Sequence, residues 1–430
     1  MNQVHQCNAL VIAAPASGQG KTTITAALAC YYKQQGKQVR VFKAGPDFLD
    51  PMILQQASGN VVYQLDLWMG GEQSCRQLLA EAAACADIIL IEGVMGLFDG
   101  EPSTADLAAR LGIPILAVID GSAMAQTFGA LAYGLAHYRQ DIKVAAVIAN
   151  RIGSERHHDM LIDSLPEDLP CYAALTRQRK GSLPSRHLGL VQAEEIADLE
   201  QRLMHLAEQL NINNDVVLPS THFPVEPIIS PERSLTGVRV AVARDAAFSF
   251  IYQANLDLLT TMGAELAFFS PLHSQELPEC NCIYLPGGYP ELHLQTLANN
   301  TAMSAAISSH YYADKPIVAE CGGMLYLTES LTDKENNHAP MVSLLKGHAV
   351  LQSRFTAMSL QQVSLNGQSL RGHTYHHSLF TTDMNPIAHA TDPNGKQCNE
   401  AVYQQRRLTA SYIHFYFPSN PTAVAELFLP

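Results

Sequence analysis

Two short segments carry residue types whose spacing suits chemistry. The first is Ser17-Gly18-Gln19-Gly20-Lys21-Thr22-Thr23, which follows the apolar run Val11-Ile12-Ala13-Ala14. Gly18 and Gly20 let backbone N–H groups turn toward phosphate oxygens, and the N-terminal end of the next helix adds positive charge. Lys21 can reach the β- and γ-phosphates of a nucleotide, and the Thr22 hydroxyl can sit on magnesium. A full phosphate-loop pattern asks for glycine where Pro15 stands, so this is a variant. The bland alternative is an ordinary glycine turn before a helix. The second segment is Lys315-Pro316-Ile317-Val318-Ala319-Glu320-Cys321-Gly322-Gly323-Met324. Here Cys321 leaves a strand into two glycines that tolerate the tight turn of a nucleophile elbow. A cysteine becomes a useful nucleophile where a helix N-terminus and a histidine favour its thiolate. His414 is the expected base, with His373, His376 and His377 as alternatives among 17 histidines. A second glycine turn, Leu285-Pro286-Gly287-Gly288-Tyr289-Pro290-Glu291, offers the N–H groups of Gly287 and Gly288 to an oxyanion. A buried inert cysteine is the bland alternative for Cys321, and the flanking glycines argue against it. The pair of segments suggests ATP activation of one molecule coupled to ammonia release from another.

Magnesium takes oxygen ligands and keeps several waters, so one or two carboxylates should complete the first site. Asp47 follows the strand ending at Lys43, and Glu92 ends the apolar run Ile88-Ile89-Leu90-Ile91. Ligands of open parallel sheets gather at the carboxyl ends of strands, which makes Asp47 and Glu92 the metal candidates. Asp50, before Pro51, either joins them or caps a helix. Lys43 can neutralise charge on a phosphoryl group in transit. Asp99 closes the glycine-rich loop Gly93–Gly100 and either orients a substrate or starts a turn. Asn150 ends another strand within reach of an adenine.

These residues need strands to deliver them, and the chain supplies them. Strand candidates at Leu10–Ala14, Val39–Lys43, Ile88–Glu92, Ile115–Asp120 and Val144–Asn150 alternate with helical patterns such as Thr23–Gln35. That order implies right-handed βαβ units and a mostly parallel sheet. Residues 216–236 hold Pro219, Pro224, Pro227 and Pro231 and read as a linker. The pattern restarts at Val238–Ala243, with a helix over Asn255–Met262 and strands at Ala267–Phe269, Cys282–Leu285 and Ile317–Ala319. The expected division is therefore 1–215, a linker at 216–236, and 237–430. A chain of 430 residues, 47% hydrophobic and 16% charged, fits two packed α/β domains. A net charge of −13 speaks against nucleic acid as a partner. Nine scattered cysteines read as reduced thiols in the cytoplasm. No segment reads as a membrane span or a leader.

In order and spacing, six motifs resemble those of the cobyrinic acid a,c-diamide synthase family: Ser17–Thr22, Lys43–Asp47, Gly96–Gly100, Ala241–Asp245, Leu285–Glu291 and Ala319–Gly323. The phosphate loop alone is shared with dethiobiotin synthetase and partition ATPases, and the second half alone with cobyric acid synthase. The resemblance implies a dethiobiotin synthetase-like P-loop domain followed by a class I glutamine amidotransferase-like domain. It implies ATP and Mg2+ as cofactors, and glutamine and a corrinoid as substrates. ATP would phosphorylate the a and c acetate carboxylates, and ammonia from glutamine would displace the phosphate. It places Ser17, Gly18, Gly20, Lys21, Thr22, Thr23 and Asn150 on the nucleotide, and Thr22, Asp47 and Glu92 on the metal. Phe48, Leu49 and Asp50 lie beside the macrocycle in this picture, with Asp99 near the acceptor carboxylate. Two positions depart from the wider class: Tyr416 stands where an acid often follows the histidine, and Thr374 where a glutamate is expected. Other tetrapyrroles, namely hydrogenobyrinic acid or a nickel sirohydrochlorin, are alternative substrates. A partition-ATPase-like switch, or a ligase using free ammonia, is a more distant reading. The oligomeric state stays open, with a homodimer as one option.

Overall fold

The structure, a computed structural model, describes residues 4–177, 183, 185–186, 189–225, 227 and 230–430. It divides into two compact units that meet between Ile228 and Ile229 in the chain.

The first unit opens with β1 (Val4–Ala13), α1 (Lys21–Gln34), β2 (Val39–Ala44), α2 (Leu49–Ser58) and β3 (Tyr63–Leu65). It continues with α3 (Gly71–Ala83), β4 (Ile88–Glu92), α4 (Thr104–Leu111), β5 (Ile115–Asp120) and α5 (Thr127–His137). Then come β6 (Val144–Ile152), α6 (Glu155–Ile162), β7 (Cys171–Thr176) and the short pair β8 (Ser185–Arg186) and β9 (Gly189–Leu190). The unit ends with α7 (Leu199–Glu208), β10 (Leu210–Ile212) and β11 (Ser220–Pro224). The sheet order is β10-β7-β6-β5-β1-β4-β2-β3, parallel except for β10, and β11 runs antiparallel along the start of β1. Residues of β1 alternate between two cores: Ala9, Val11 and Ala13 face one, Leu10 and Ile12 the other. Two-sided burial is why these strands read as unbroken apolar runs.

Part of the expected linker is structure. β11 lies within 216–236 and buries Thr221 and Phe223 alternately against β1, from Val4↔Pro224 to Asn8↔Ser220. Pro224 sits at the end of the ladder, where a missing N–H is tolerated. Of the prolines in that stretch, Pro219 precedes the strand and Pro224 ends it, while the boundary between the two units falls within the same stretch. Residues 226, 228 and 229 of that stretch lie outside the described residues.

In the second unit, β12 (Arg239–Ala243) is followed by α8 (Gln253–Thr261), β13 (Glu265–Phe269) and β14 (Cys282–Leu285). After α9 (Leu294–Asn299) and α10 (Thr301–Tyr312) come β15 (Ile317–Glu320) and α11 (Gly322–Leu327). The order β13-β12-β14-β15 continues in parallel to Leu408–Ser411, and antiparallel strands complete the sheet up to His414–Phe415. As in the first unit, β12 serves two cores, with Ala241 and Ala243 on one side and Val240 and Val242 on the other. Among the described residues no helix is long and apolar enough to cross a membrane.

Candidate active sites

In the first unit, strand register gathers the polar residues at one end of the sheet. Glu92 pairs with Ile12 on one side and Lys43 on the other, while Asp120 pairs with Asn150. The loop from Pro15 to Gly20 caps this edge. Gly18 and Gly20 adopt φ of 77° and 94°, and Gly20 opens α1. Other residue types adopt that backbone only at a cost. Asn150, buried, donates its amide to the Gln19 carbonyl at 2.8 Å, and the Gln19 side chain accepts the Asp120 N–H at 2.9 Å. Asn150 thus braces the loop from beneath. Ser17 is exposed and Thr23 half-buried at the loop and the helix start.

Around this loop lies a compact charged cluster. The Thr22 hydroxyl donates to Glu92 Oε1 at 2.6 Å. Lys43 Nζ lies 2.7 Å from Asp50, 3.3 Å from Glu92 and 3.7 Å from Asp47. Lys21 Nζ donates to the Met95 carbonyl at 2.5 Å, so the loop after β4 touches the phosphate loop. Burial and the Asp50 charge push Glu92 up to about 8. The same two causes push Asp47 up to about 7. Burial works against charge on Asp50 too, but Lys43 holds it below the usual range. Burial opposes the Lys43 ammonium as well, and Asp50, Glu92 and Asp47 more than compensate. Lys21 is pushed down by burial and by Lys43.

The helix-capping alternative weighed for Asp50 falls on Asp47. Asp47 Oδ1 accepts the N–H groups of Leu49 and Asp50 at 2.9 and 3.2 Å, whereas Asp50 turns to Lys43. Phe48 and Leu49 are half-buried at the start of α2. Asp99 is exposed and accepts the Gly96 N–H at 3.1 Å. Glu92 Oε2 is buried with no hydrogen-bond partner, which leaves a carboxylate oxygen for a cation. Among the described residues no three acidic, His or Cys side chains form a ready-made metal cage. Magnesium, which keeps waters and phosphate oxygens, does not require one.

In the second unit Cys321 leaves β15 with φ 43° and ψ −107°, the strained geometry of an elbow. Its N–H donates to the Ser411 carbonyl at 2.8 Å, tying the elbow to the strand that leads to His414. Gly322 and Gly323 are needed for close approach. A Cβ on Gly322 would lie 2.8 Å from Gly288 N, and one on Gly323 would strike the Leu285 carbonyl. The two glycine turns therefore abut. The His414 imidazole lies against Gly287 and stacks on His373 with centroids 5.1 Å apart. His373 in turn meets the Tyr252 hydroxyl at 2.8 Å through Nδ1. The expected activated thiolate is not the resting form: burial and then Glu291 push the Cys321 thiol well up. Burial, His373 and His376 push His414 well below the usual histidine range. At rest the pair is a thiol and a neutral imidazole.

Sequence reasoning gave no role to two acids here. Glu320, directly before Cys321, is buried and accepts from Tyr284 and from the Phe415 N–H. Its signal was an acid closing the apolar run Ile317–Ala319. Glu291 follows the glycine turn, and burial pushes it up to about 7. Of the other histidines, His376 stacks on Tyr412 at 3.8 Å and lies 3.5 Å from Glu400. Thr374 is fully buried in the same strand.

A phosphate-loop unit with clustered carboxylates, joined in one chain to a unit with a buried cysteine elbow, defines the class of ligases that draw nitrogen from glutamine. Residues 10–190 match the CobQ/CobB/MinD/ParA nucleotide binding domain, and 239–422 match the CobB/CobQ-like glutamine amidotransferase domain. Hydrogenobyrinate a,c-diamide synthase of Pseudomonas aeruginosa is 59% identical over 99% of this chain and 98% of its own. The same-named protein of Stutzerimonas stutzeri is 60% identical over 99% of both. Cobyrinate a,c-diamide synthase of Herminiimonas arsenicoxydans is 46% identical over 98% of this chain and 96% of its own. The chain belongs to the a,c-diamide synthase family and is a nucleotide-binding, glutamine-hydrolysing ligase.

Proposed function

We propose that this chain converts the a and c acetate carboxylates of a cobyrinate-type macrocycle to amides, using ATP and glutamine. The observation that carries the reading is Cys321, buried in a strained elbow, in the same chain as the Lys43–Asp50–Glu92 cluster at a phosphate loop. Hydroxide is a poor leaving group, so the acceptor carboxylate must first be phosphorylated. The backbone from Ser17 to Gly20 cradles the phosphates, with Thr23 at the helix start. Lys21 and Lys43 stabilise charge on the transferred group. Thr22, Asp47 and Glu92 would hold magnesium, whose positive charge neutralises phosphate oxygens. Asp99 orients the acceptor carboxylate, and Phe48, Leu49 and Asp50 flank the ring.

In the second unit His414 takes the Cys321 proton as the sulfur attacks the side-chain carbonyl carbon of glutamine. The N–H groups of Gly287 and Gly288 receive the oxyanion. Collapse expels ammonia, which carries the proton returned by His414, and water then hydrolyses the thioester to glutamate. Ammonia displaces phosphate from the activated acetate. The burial that disfavours the free thiolate makes proton transfer concerted with attack the economical path.

The relatives at 59 and 60% identity carry the metal-free name and the one at 46% the cobyrinate name, which favours hydrogenobyrinate and keeps cobyrinate as the second substrate to test. We place the enzyme in the cytoplasm, where ATP is available and its nine free cysteines stay reduced. The test is mass spectrometry of each ring incubated with protein, ATP, magnesium and glutamine, then with ammonium replacing glutamine. Two successive acid-to-amide changes on one ring are expected. No change on either ring with either nitrogen donor overturns the reading.

A further inference from the structure

Many glutaminases orient their histidine with an acid two residues later, where this chain has Tyr416. The geometry points to Glu320 as the positioning residue that replaces it, acting on the histidine's backbone instead of its ring. This inference rests on the Cys321–His414 assignment proposed above.

Glu320 is the last residue of β15 and immediately precedes Cys321. It is 1% exposed. Burying a carboxylate is costly unless its oxygens are satisfied. Here both oxygens are engaged by neutral donors: Oε2 by the Tyr284 hydroxyl at 2.9 Å and Oε1 by the Phe415 N–H at 3.2 Å. Phe415 is the residue after His414. The carboxyl thus spans the gap between the nucleophile's strand and the base's strand, from a residue adjacent to each. The Cys321 N–H crosses in the same direction to Ser411. Asn255 grips the far side, donating to the Phe415 carbonyl and accepting from the Phe417 N–H, both at 2.8 Å. Phe415 is held on both edges and His414 itself pairs with His373 on the neighbouring strand, which fixes the His414 Cα relative to the sulfur, and packing against Gly287 and His373 fixes the ring. A side-chain acid beyond the ring becomes dispensable.

Glu320 acts through hydrogen bonding in this scheme, not through its charge. Burial pushes its carboxyl up to about 8, so near neutral pH it stays largely uncharged, and its effect on the Cys321 thiol is small beside burial and Glu291. Glutamine at position 320 keeps an acceptor for Phe415, and its NH2 can donate to Tyr284. Methionine has similar length and accepts neither bond well.

The test compares steady-state glutaminase kinetics of wild type, E320Q and E320M, with ammonia-dependent synthesis measured in parallel. E320M is expected to lose 10- to 100-fold in kcat with KM for glutamine changed less than three-fold, and to keep ammonia-dependent synthesis. E320Q is expected within three-fold of wild type in kcat. An E320M enzyme with wild-type kcat overturns the inference, as does an E320Q enzyme as impaired as E320M, which would make the charge the active element. Should E320M not fold, Tyr284→Phe removes one hydroxyl only. It is expected to lower kcat two- to five-fold at constant KM, and an unchanged kcat overturns the inference. Absence of glutaminase from the wild type would instead overturn the proposed function, so the two failures are distinguishable.

Discussion

Replacing Gly287 with alanine tests the His414 assignment through geometry alone. A Cβ at position 287 would lie 2.8 Å from His414 Nδ1 and 3.3 Å from Nε2, with Cε1 closer still. Ordinary contact begins near 3.4 Å, so the ring must withdraw by at least about 0.6 Å (3.4 − 2.8) at Nδ1 and further at Cε1. It has little room, because His373 stacks on the ring and Gly372 presses on the His414 carbonyl. A misplacement approaching 1 Å costs about 100-fold in rate. Gly287 is not among the glycines with positive φ, so the substitution adds no backbone strain. The N–H at 287 is also kept, which separates loss of the base from loss of an oxyanion donor. Glutaminase kcat should therefore fall about 100-fold, with ammonia-dependent synthesis unchanged. A variant that hydrolyses glutamine within three-fold of wild type would refute His414 as the base.

Cys321→Ala should abolish glutamine-dependent amidation and spare the ammonia-dependent reaction, read by mass spectrometry of the ring. Equal activity of variant and wild type with glutamine would rule out the thioester route. Lys43→Met leaves Asp50 and Glu92 facing each other without their cation; breaking a buried pair of this kind costs about 3–5 kcal/mol. Urea denaturation should register that loss, and amidation should fail with either nitrogen donor; full synthesis would exclude Lys43 from phosphoryl transfer. In the second unit burial pushes His310 down to about 4 and His373 down to about 3. The unfolded chain binds those protons first, so stability falls as pH drops below about 6.5. Glu320 is raised by burial to about 8, so the folded state holds its proton longer, and stability falls as pH rises from about 4.5 through 8. Two histidines outweigh one carboxyl below about pH 6.5 and Glu320 alone acts above it, so the combined contribution of these three groups to stability should peak near about pH 6.5, and a melting temperature that rises steadily to pH 8 would contradict the assignment of these buried groups.

The parts of the fold that were legible are those where two-sided burial writes itself into the chain. Ile88–Glu92 and Ile115–Asp120 were read with their observed bounds because every residue before the terminal acid is buried and apolar. β11 was missed for the opposite reason: as a strand with alternating exposure, flanked by Pro219 and ending in Pro224, it carries mostly turn chemistry. The same logic governs the sites. Loops that need glycine announce themselves, and so the phosphate loop and the cysteine elbow could be found. Which acid caps α2 could not, since Asp50, directly before Pro51, is the better cap on paper. Only the position of Lys43 sends Asp50 to the ammonium and leaves Asp47 for the helix N-terminus. Nor could the resting charge of Cys321 be read, because glycines and a nearby histidine suggest a thiolate while the depth of burial decides against it. Burial depth is a tertiary property: Gly288 and Pro290 crowd Gly322, and Leu285 crowds Gly323, directly after the cysteine. A buried neutral pair also suits a site that should release ammonia only on glutamine. Without a substrate carbonyl to attack, transfer of the Cys321 proton to His414 would create two buried charges at once, and desolvation opposes both.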